Sequence, residues 1–169
     1  LRNKLQKVLF NLEKIRNTLA GLVDRPEATR KSSPDPSRTE DGLPISQTEL
    51  NGFIQKIDIG NTVTAEEIVI RAGLKGTILG WILRAALTYI IRANLLTGPP
   101  VRLANGRIVL GAVFTVSDDR TKHIYIASQD LPAVEIAKTL LHEIGAYLGF
   151  PHSINIKLES VLFLILKNE

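Results

Sequence analysis

Two histidines and a glutamate lie near the end of the chain at spacings suited to holding a metal ion. His142 and Glu143 are adjacent, and His152 follows Glu143 by nine residues. Neutral imidazole nitrogens bind zinc, and a glutamate beside the metal can take a proton from a zinc-bound water. These residue types therefore point to metal-assisted hydrolysis, with Glu143 as the general base.

The spacing predicts that these residues lie on a helix that ends in a sharp turn. In the pattern His-Glu-x-x-His, the two histidines are four residues apart and share one face of a helix. Ala146 takes the place of the second histidine, and alanine cannot bind a metal. Gly149 allows a turn that would return His152 to the metal as a further ligand. The site is one ligand short of the usual three protein ligands.

This pattern resembles the active-site helix of the zincin metallopeptidases, and of their metzincin and matrixin branch in particular. The matching residues are His142, Glu143, Gly149, His152 and Ser153. The resemblance implies a zincin-like fold, a zinc cofactor and a peptide or protein substrate. It also implies that His142 and His152 are metal ligands and that Glu143 is catalytic. The chain departs from the family at Ala146, and it has no Met for the methionine-containing turn of metzincins.

A second resemblance is to zincin-like domains within phage and mobile-element polyproteins. The strand-like segment 123–127 followed by the helix-like segment 139–146 carries it. In those domains the second ligand falls one position later, where this chain has Tyr147. A tyrosine phenolate is a costly ligand because the reference pKa of tyrosine is near 10. His123 is another candidate for the missing ligand, although we expect it to be a surface residue.

Composition sets broad limits on the protein. The chain has 169 residues, of which 44% are hydrophobic and 22% are charged, as expected for a protein with a packed core. It has no cysteine, which excludes a disulfide framework and leaves only nitrogen and oxygen ligands for zinc. The net charge of +4 favours an anionic partner only weakly.

The sequence predicts a protein that does not cross a membrane. Its longest apolar region, residues 78–96, is interrupted by Arg84 and Arg92, and no signal peptide is visible in this fragment. We expect a cytoplasmic protein or a part of a larger phage or mobile-element protein. Because the chain begins with Leu1 and contains no Met, we interpret it as a piece of a longer chain, so a missing ligand could lie outside it.

Three segments are expected along the chain. Residues 1–23 form an amphipathic N-terminal helix with apolar residues at alternating spacings of four and three. This helix either packs on the domain or mediates self-association as a short coiled coil. Residues 24–47 are rich in Pro and Ser and are predicted to be a flexible linker. Residues 48–169 form the zincin-like domain.

The predicted domain is α+β, with a small, mostly antiparallel sheet packed on a scaffold helix and an active-site helix. The expected helices cover 65–72, 77–96 and 133–148, the last one capped by Asp130. The expected strands cover 107–116 and 123–127, with a hairpin at Asn105-Gly106. The apolar run 161–166 is either a strand or part of a helix.

Two other functions stay open at this point. Residues 65–96 also resemble a helix-turn-helix DNA-binding module, in which Lys75, Thr77 and Arg84 could face phosphate. The apolar second helix and Val69, at a position that is usually small, favour a buried scaffold helix instead, so nucleic acid is not the expected partner. The second alternative is an interaction domain without chemistry.

Overall fold

The computed structural model describes residues 37–116 and 119–168, together with Asn3 and Gln6, which are helical. The rest of the predicted N-terminal helix lies outside the described residues. The strands are β1 (Ser37–Thr39), β2 (Ala93–Gly98), β3 (Val101–Arg102), β4 (Ile108–Val116) and β5 (Asp119–Ala127). The helices are α1 (Gln47–Lys56), α2 (Ala65–Arg71), α3 (Ile78–Ala85), α4 (Ala133–Tyr147) and α5 (His152–Asn168), and a π-helical turn covers Ala86–Ile90.

One mixed sheet organises these elements. Its strand order is β1-β4-β5-β2, and β3 pairs with the remaining part of β4. The pairs β1/β4, β3/β4 and β4/β5 are antiparallel, and β2/β5 is parallel. The α+β class and the mostly antiparallel sheet predicted from the sequence are therefore confirmed.

The core lies on both faces of the sheet because side chains alternate along each strand. On one face, Ile124 and Ile126 of β5 pack with Leu140 and Ile144 of α4 and with apolar residues of α2 and α3. On the other face, Phe53 of α1 makes edge-to-face contacts with Phe114 and Tyr125, at ring-centre distances of 5.9 and 5.3 Å. The sheet thus separates α1 from α4.

Gly111 of β4 lets α4 lie directly on the sheet. A Cβ atom at this position would stand 2.5 Å from Cγ2 of Thr139 and 3.0 Å from Cγ of Glu143. Real Cβ atoms do not approach this closely, so even alanine would push α4 away from β4. The absence of a side chain at Gly111 is therefore part of what positions Glu143.

The predicted scaffold helix 77–96 is wrong in its second half. The α-helix ends at Ala85, the π-helical turn follows, and Ala93–Gly98 forms β2. Leu95 and Leu96 pair with Ile124 and Tyr125 of β5 in parallel register. An apolar run fits a buried parallel strand as well as a buried helix, and here tertiary pairing with β5 decides between them.

The compact part of the chain begins earlier than the predicted boundary at residue 48. β1 falls inside the predicted linker 24–47, and Ser37 and Thr39 are buried against β4. Ser46 then caps α1 in a reciprocal capping box with Glu49. Residues 24–36 of the predicted linker lie outside the part of the chain that the structure describes.

Several local predictions are confirmed. The hairpin at Asn105-Gly106 joins β3 to β4, and Gly106 has a φ of +90°. The strands 107–116 and 123–127 and the helices 65–72 and 133–148 are present within a few residues of their predicted bounds. The apolar run 161–166 is part of α5.

The predicted cap at Asp130 is wrong. Pro132 is the N-cap of α4 and makes no side-chain capping hydrogen bond, while Asp130 has a φ of +58° in the preceding turn. Among the described helices, none combines the length and the apolar character needed to cross a membrane.

Candidate functional site

His142 and Glu143 lie in the middle of α4, and both side chains are completely buried, with 0% exposure. Glu143 faces the sheet, where its Cγ lies over Gly111. The helix turns about 100° per residue, so the adjacent His142 points away from Glu143 toward α5. The chain therefore spends two buried polar side chains on one helical turn, which is costly unless they have partners or a function.

His152 returns to His142 as the sequence predicted. α4 ends at Tyr147, Gly149 turns the chain with a φ of +89°, and α5 begins at His152. The ring centres of His142 and His152 are 5.2 Å apart, with the planes inclined by 68°. Two imidazoles bound to one tetrahedral zinc at bond lengths of about 2.05 Å have ring centres roughly 5 Å apart. The pair thus has the spacing of two ligands of one ion.

The crossing of α4 and α5 depends on Gly145. A Cβ atom there would lie 2.2 Å from Oδ1 of Asn155 on α5. Asn155 is fully buried and donates from Nδ2 to the carbonyl of Phe150 at 3.2 Å. The close contact at Gly145 brings the start of α5, and therefore His152, onto the face of α4 that carries His142.

The ring nitrogens of His142 are buried without a hydrogen bond to any described group. The nearest charged neighbour is Glu159 of α5, whose Oε2 lies 3.6 Å from Nδ1 of His142. This distance is too long for a hydrogen bond but short enough for an electrostatic interaction. A buried imidazole with unused nitrogens is the kind of group that a metal ion would satisfy.

Arg38 of β1 connects this region to the edge of the sheet. Its Nη2 donates to Oε2 of Glu135 at 3.0 Å, its Nη1 donates to Oγ1 of Thr139 at 3.0 Å, and its Nε donates to Oε1 of Glu159. Burial alone raises the pKa of Glu159, but the neighbouring His142 and Arg38 outweigh that effect and lower it below its usual value. Glu159 is therefore held as a carboxylate.

A second arginine fixes the turn that covers His152. Nε2 of His152 is 2.8 Å from the carbonyl oxygen of Gly42, which has a φ of +72°. Arg107 of β4 binds both sides of this turn, donating to the Asp41 carboxylate at 2.9 Å and to the carbonyl of Leu43 at 2.8 Å. The turn after β1 is thus tied to the sheet and to the site together.

The Arg107 cluster gives the fold a pH dependence at the acid end. The hydrogen bond from Arg107 is the main cause that lowers the pKa of Asp41. The pKa of Glu49 is also lowered, first by the backbone N–H of Ser46 and then by Asn105 and Arg107. Unfolded carboxyls titrate near pH 4, so both groups stabilise the fold above that pH, and this contribution disappears as the pH falls through their lower folded pKa values.

We therefore expect the free energy of unfolding to decrease as the pH is lowered below about 4. Arg107→Gln should make this decrease shallower because both carboxyls then titrate closer to their unfolded values. Urea unfolding at several pH values between about 3 and 7 measures the effect. An unchanged slope in the variant would show that other carboxyls govern acid unfolding.

Two predicted site residues lie away from this cluster. The Tyr147 hydroxyl accepts a hydrogen bond from the backbone N–H of Arg92 at 2.8 Å, and Nζ of Lys122 lies 5.1 Å from the ring centre. These contacts place the phenol against β2 and β5 and not against His142, so the structure gives no support to Tyr147 as a ligand.

His123 is not the surface residue that we expected. It is only 2% exposed, and its ring stacks on Phe114 at a centre distance of 5.3 Å. It faces the α1 side of the sheet because it alternates with Ile124, which faces α4. The sheet therefore lies between His123 and His142, and His123 cannot complete a site with His142.

Sequence reasoning missed Glu159 and Arg38. Glu159 follows His152 by seven residues, a spacing that places both on one face of a helix, so the tail carried a usable signal. Arg38 lies more than 100 residues from Glu159, inside a segment with the composition of a linker, and no local pattern connects the two.

Within residues 37–116 and 119–168, no three His, Cys, Asp or Glu side chains are arranged as a complete metal site. No family model matches this chain, and no curated protein or solved structure matches it. The functional assignment therefore depends on the geometry of the site alone.

Proposed function

We propose that this chain is a zincin-like, zinc-binding domain derived from a peptidase, with His142 and His152 as metal ligands and Glu143 in the position of the catalytic base. The observation that carries the proposal is the 5.2 Å separation of the two imidazole rings across the Gly149 turn. The preceding β5 strand, the helix α4 and the sharp turn occur in the order that the zincin resemblance implies.

The donor groups fit zinc in kind but not in number. His142 offers buried nitrogens without hydrogen-bond partners among the described groups, and His152 lies beside it. Ala146 contributes nothing at the position of the second histidine. When zinc is bound, it would polarise a substrate carbonyl and lower the pKa of a water molecule. The role of Glu143 in such a site is to accept the proton from that water.

Burial argues that peptide hydrolysis is lost or very slow in this form of the protein. A peptidase must bring a substrate carbonyl to within contact distance of the metal and the base. His142 and Glu143 are completely buried, between α5 on one side and β4 on the other. A peptide could reach them only if α5 moved, so we propose a domain that holds metal and does not turn over substrate.

The test is zinc binding by protein prepared without a histidine tag, measured by equilibrium dialysis and elemental analysis. Wild type should hold about one equivalent of zinc, and His142→Ala should hold almost none, because losing one of two histidine ligands leaves too few donors. His123→Ala is the matched control, since this histidine lies on the opposite face of the sheet. Less than about a tenth of an equivalent in wild type would refute the proposal.

An interaction domain without chemistry is the second candidate, and one observation favours it. Trp81, Tyr89 and Ile90 are 69%, 76% and 63% exposed, on α3 and the π-helical turn. Large apolar side chains exposed close together in sequence are typical of surfaces that bind a partner. Under this hypothesis, Trp81→Ser would weaken partner binding without changing zinc binding.

A further inference from the structure

We propose that Glu159 supplies the missing third protein ligand, so that the site uses two histidines and a carboxylate from α5 in place of the residue lost at Ala146. This inference rests on the proposed function, since it concerns the same metal. It assigns a residue outside the helix motif, on the element that follows the turn.

The distances support a shared ion. Oε2 of Glu159 is 3.6 Å from Nδ1 of His142. Two ligand atoms that bind one tetrahedral zinc at about 2.05 Å are separated by roughly 3.3 Å. A side-chain movement of a few tenths of an ångström would therefore bring the carboxylate to ligand distance from the metal.

The helix geometry brings His152 and Glu159 to the same place. They are seven residues apart on α5, which is close to two helical turns, so they share one face. That face crosses α4 where His142 lies. His142, His152 and Glu159 thus come from two helices whose crossing is fixed at Gly145 and Asn155.

Arg38 acts as a positioning residue for this ligand. It contacts Oε1 of Glu159, which leaves Oε2 directed toward His142. Carboxylates that bind metals are commonly hydrogen-bonded through their other oxygen, which fixes their orientation. Only 12% of the Glu159 side chain is exposed, so a bound ion would face little competition from water at this carboxylate.

Glu159→Gln tests the assignment because it keeps the shape of the side chain and removes the charge. The zinc dissociation constant, measured by competition with a chromophoric chelator, should rise by at least about tenfold, since an amide is a much poorer zinc ligand than a carboxylate. Glu135→Gln is the matched control, because it also removes a carboxylate from Arg38 but is not in the His142 pair. This control should change the constant by less than about threefold.

The outcomes separate the two proposals. Zinc binding that is lost in His142→Ala but unchanged in Glu159→Gln would overturn the assignment of Glu159 and leave the proposed function intact. Equal weakening in Glu159→Gln and Glu135→Gln would also overturn it, because the effect would then come from Arg38 and the fold. No zinc binding in wild type would overturn both. Thermal unfolding of each variant without metal confirms that it is folded.

Discussion

Ala146→His is expected to raise zinc affinity by at least about tenfold, whereas Tyr147→His is expected to leave it nearly unchanged. Position 146 is one helical turn after His142 and shares its face of α4, and Ala146 is only half-buried, which leaves room for a larger side chain. Position 147 is rotated away, with its side chain against Arg92 and Lys122. The two substitutions therefore distinguish the two ancestral patterns that the sequence left open.

Isothermal titration with zinc measures both variants beside wild type. A third variant, Ala146→Gln, controls for added volume at the same position without adding an imidazole. If Tyr147→His binds zinc more tightly than Ala146→His, then the face of α4 that carries the metal has been assigned wrongly. Peptidase activity gained by Ala146→His and lost again on adding Glu143→Gln would further show that Glu143 is the base.

Arg38→Met should lower the free energy of unfolding by about 3 kcal/mol, because it leaves the carboxylate of Glu159 in a largely buried site without its counter-ion. The side chains of Arg38 and Glu159 are each only 12% exposed, and Arg38 also donates to Glu135 and Thr139. The loss would therefore exceed the value of about 1 kcal/mol or less that is typical of exposed ion pairs. Urea unfolding followed by circular dichroism provides the measurement.

A double variant tells whether the effect comes from an unpaired charge. Arg38→Met combined with Glu159→Met removes both charges, and replacing a buried ion pair by apolar side chains is often close to neutral. The double variant should therefore be more stable than Arg38→Met alone. If it is less stable, with the losses simply adding, then Arg38 stabilises the fold through packing and its other contacts instead.

The sequence predicted the site helix well because its signals are local. The apolar spacing of α4, the left-handed turn at Gly149 and the return of His152 are all encoded within 20 residues. The hairpin at Asn105-Gly106 was equally readable, since a two-residue turn has a strong residue preference. In each case the residues that decide the structure are neighbours in the chain.

The failures share a different cause. Leu95 and Leu96 could have continued a helix, and only pairing with β5 makes them a strand. Ser37 to Thr39 look like linker, and only the antiparallel pairing with β4 and the buried contacts of Arg38 place them in the fold. His123 looks like a surface residue, and only its stacking on Phe114 shows otherwise. Each of these depends on a partner far away in sequence.

The contact between β1 and α5 also has a consequence for the order of folding. Arg38 and Glu159 are separated by 121 positions, so the chain must close a very long loop before their interaction contributes anything. During synthesis, β1 would leave the ribosome long before its partner helix exists. Its edge of the sheet would stay unsecured until the last helix docks. The metal pair forms at the same late step, because His152 belongs to that helix.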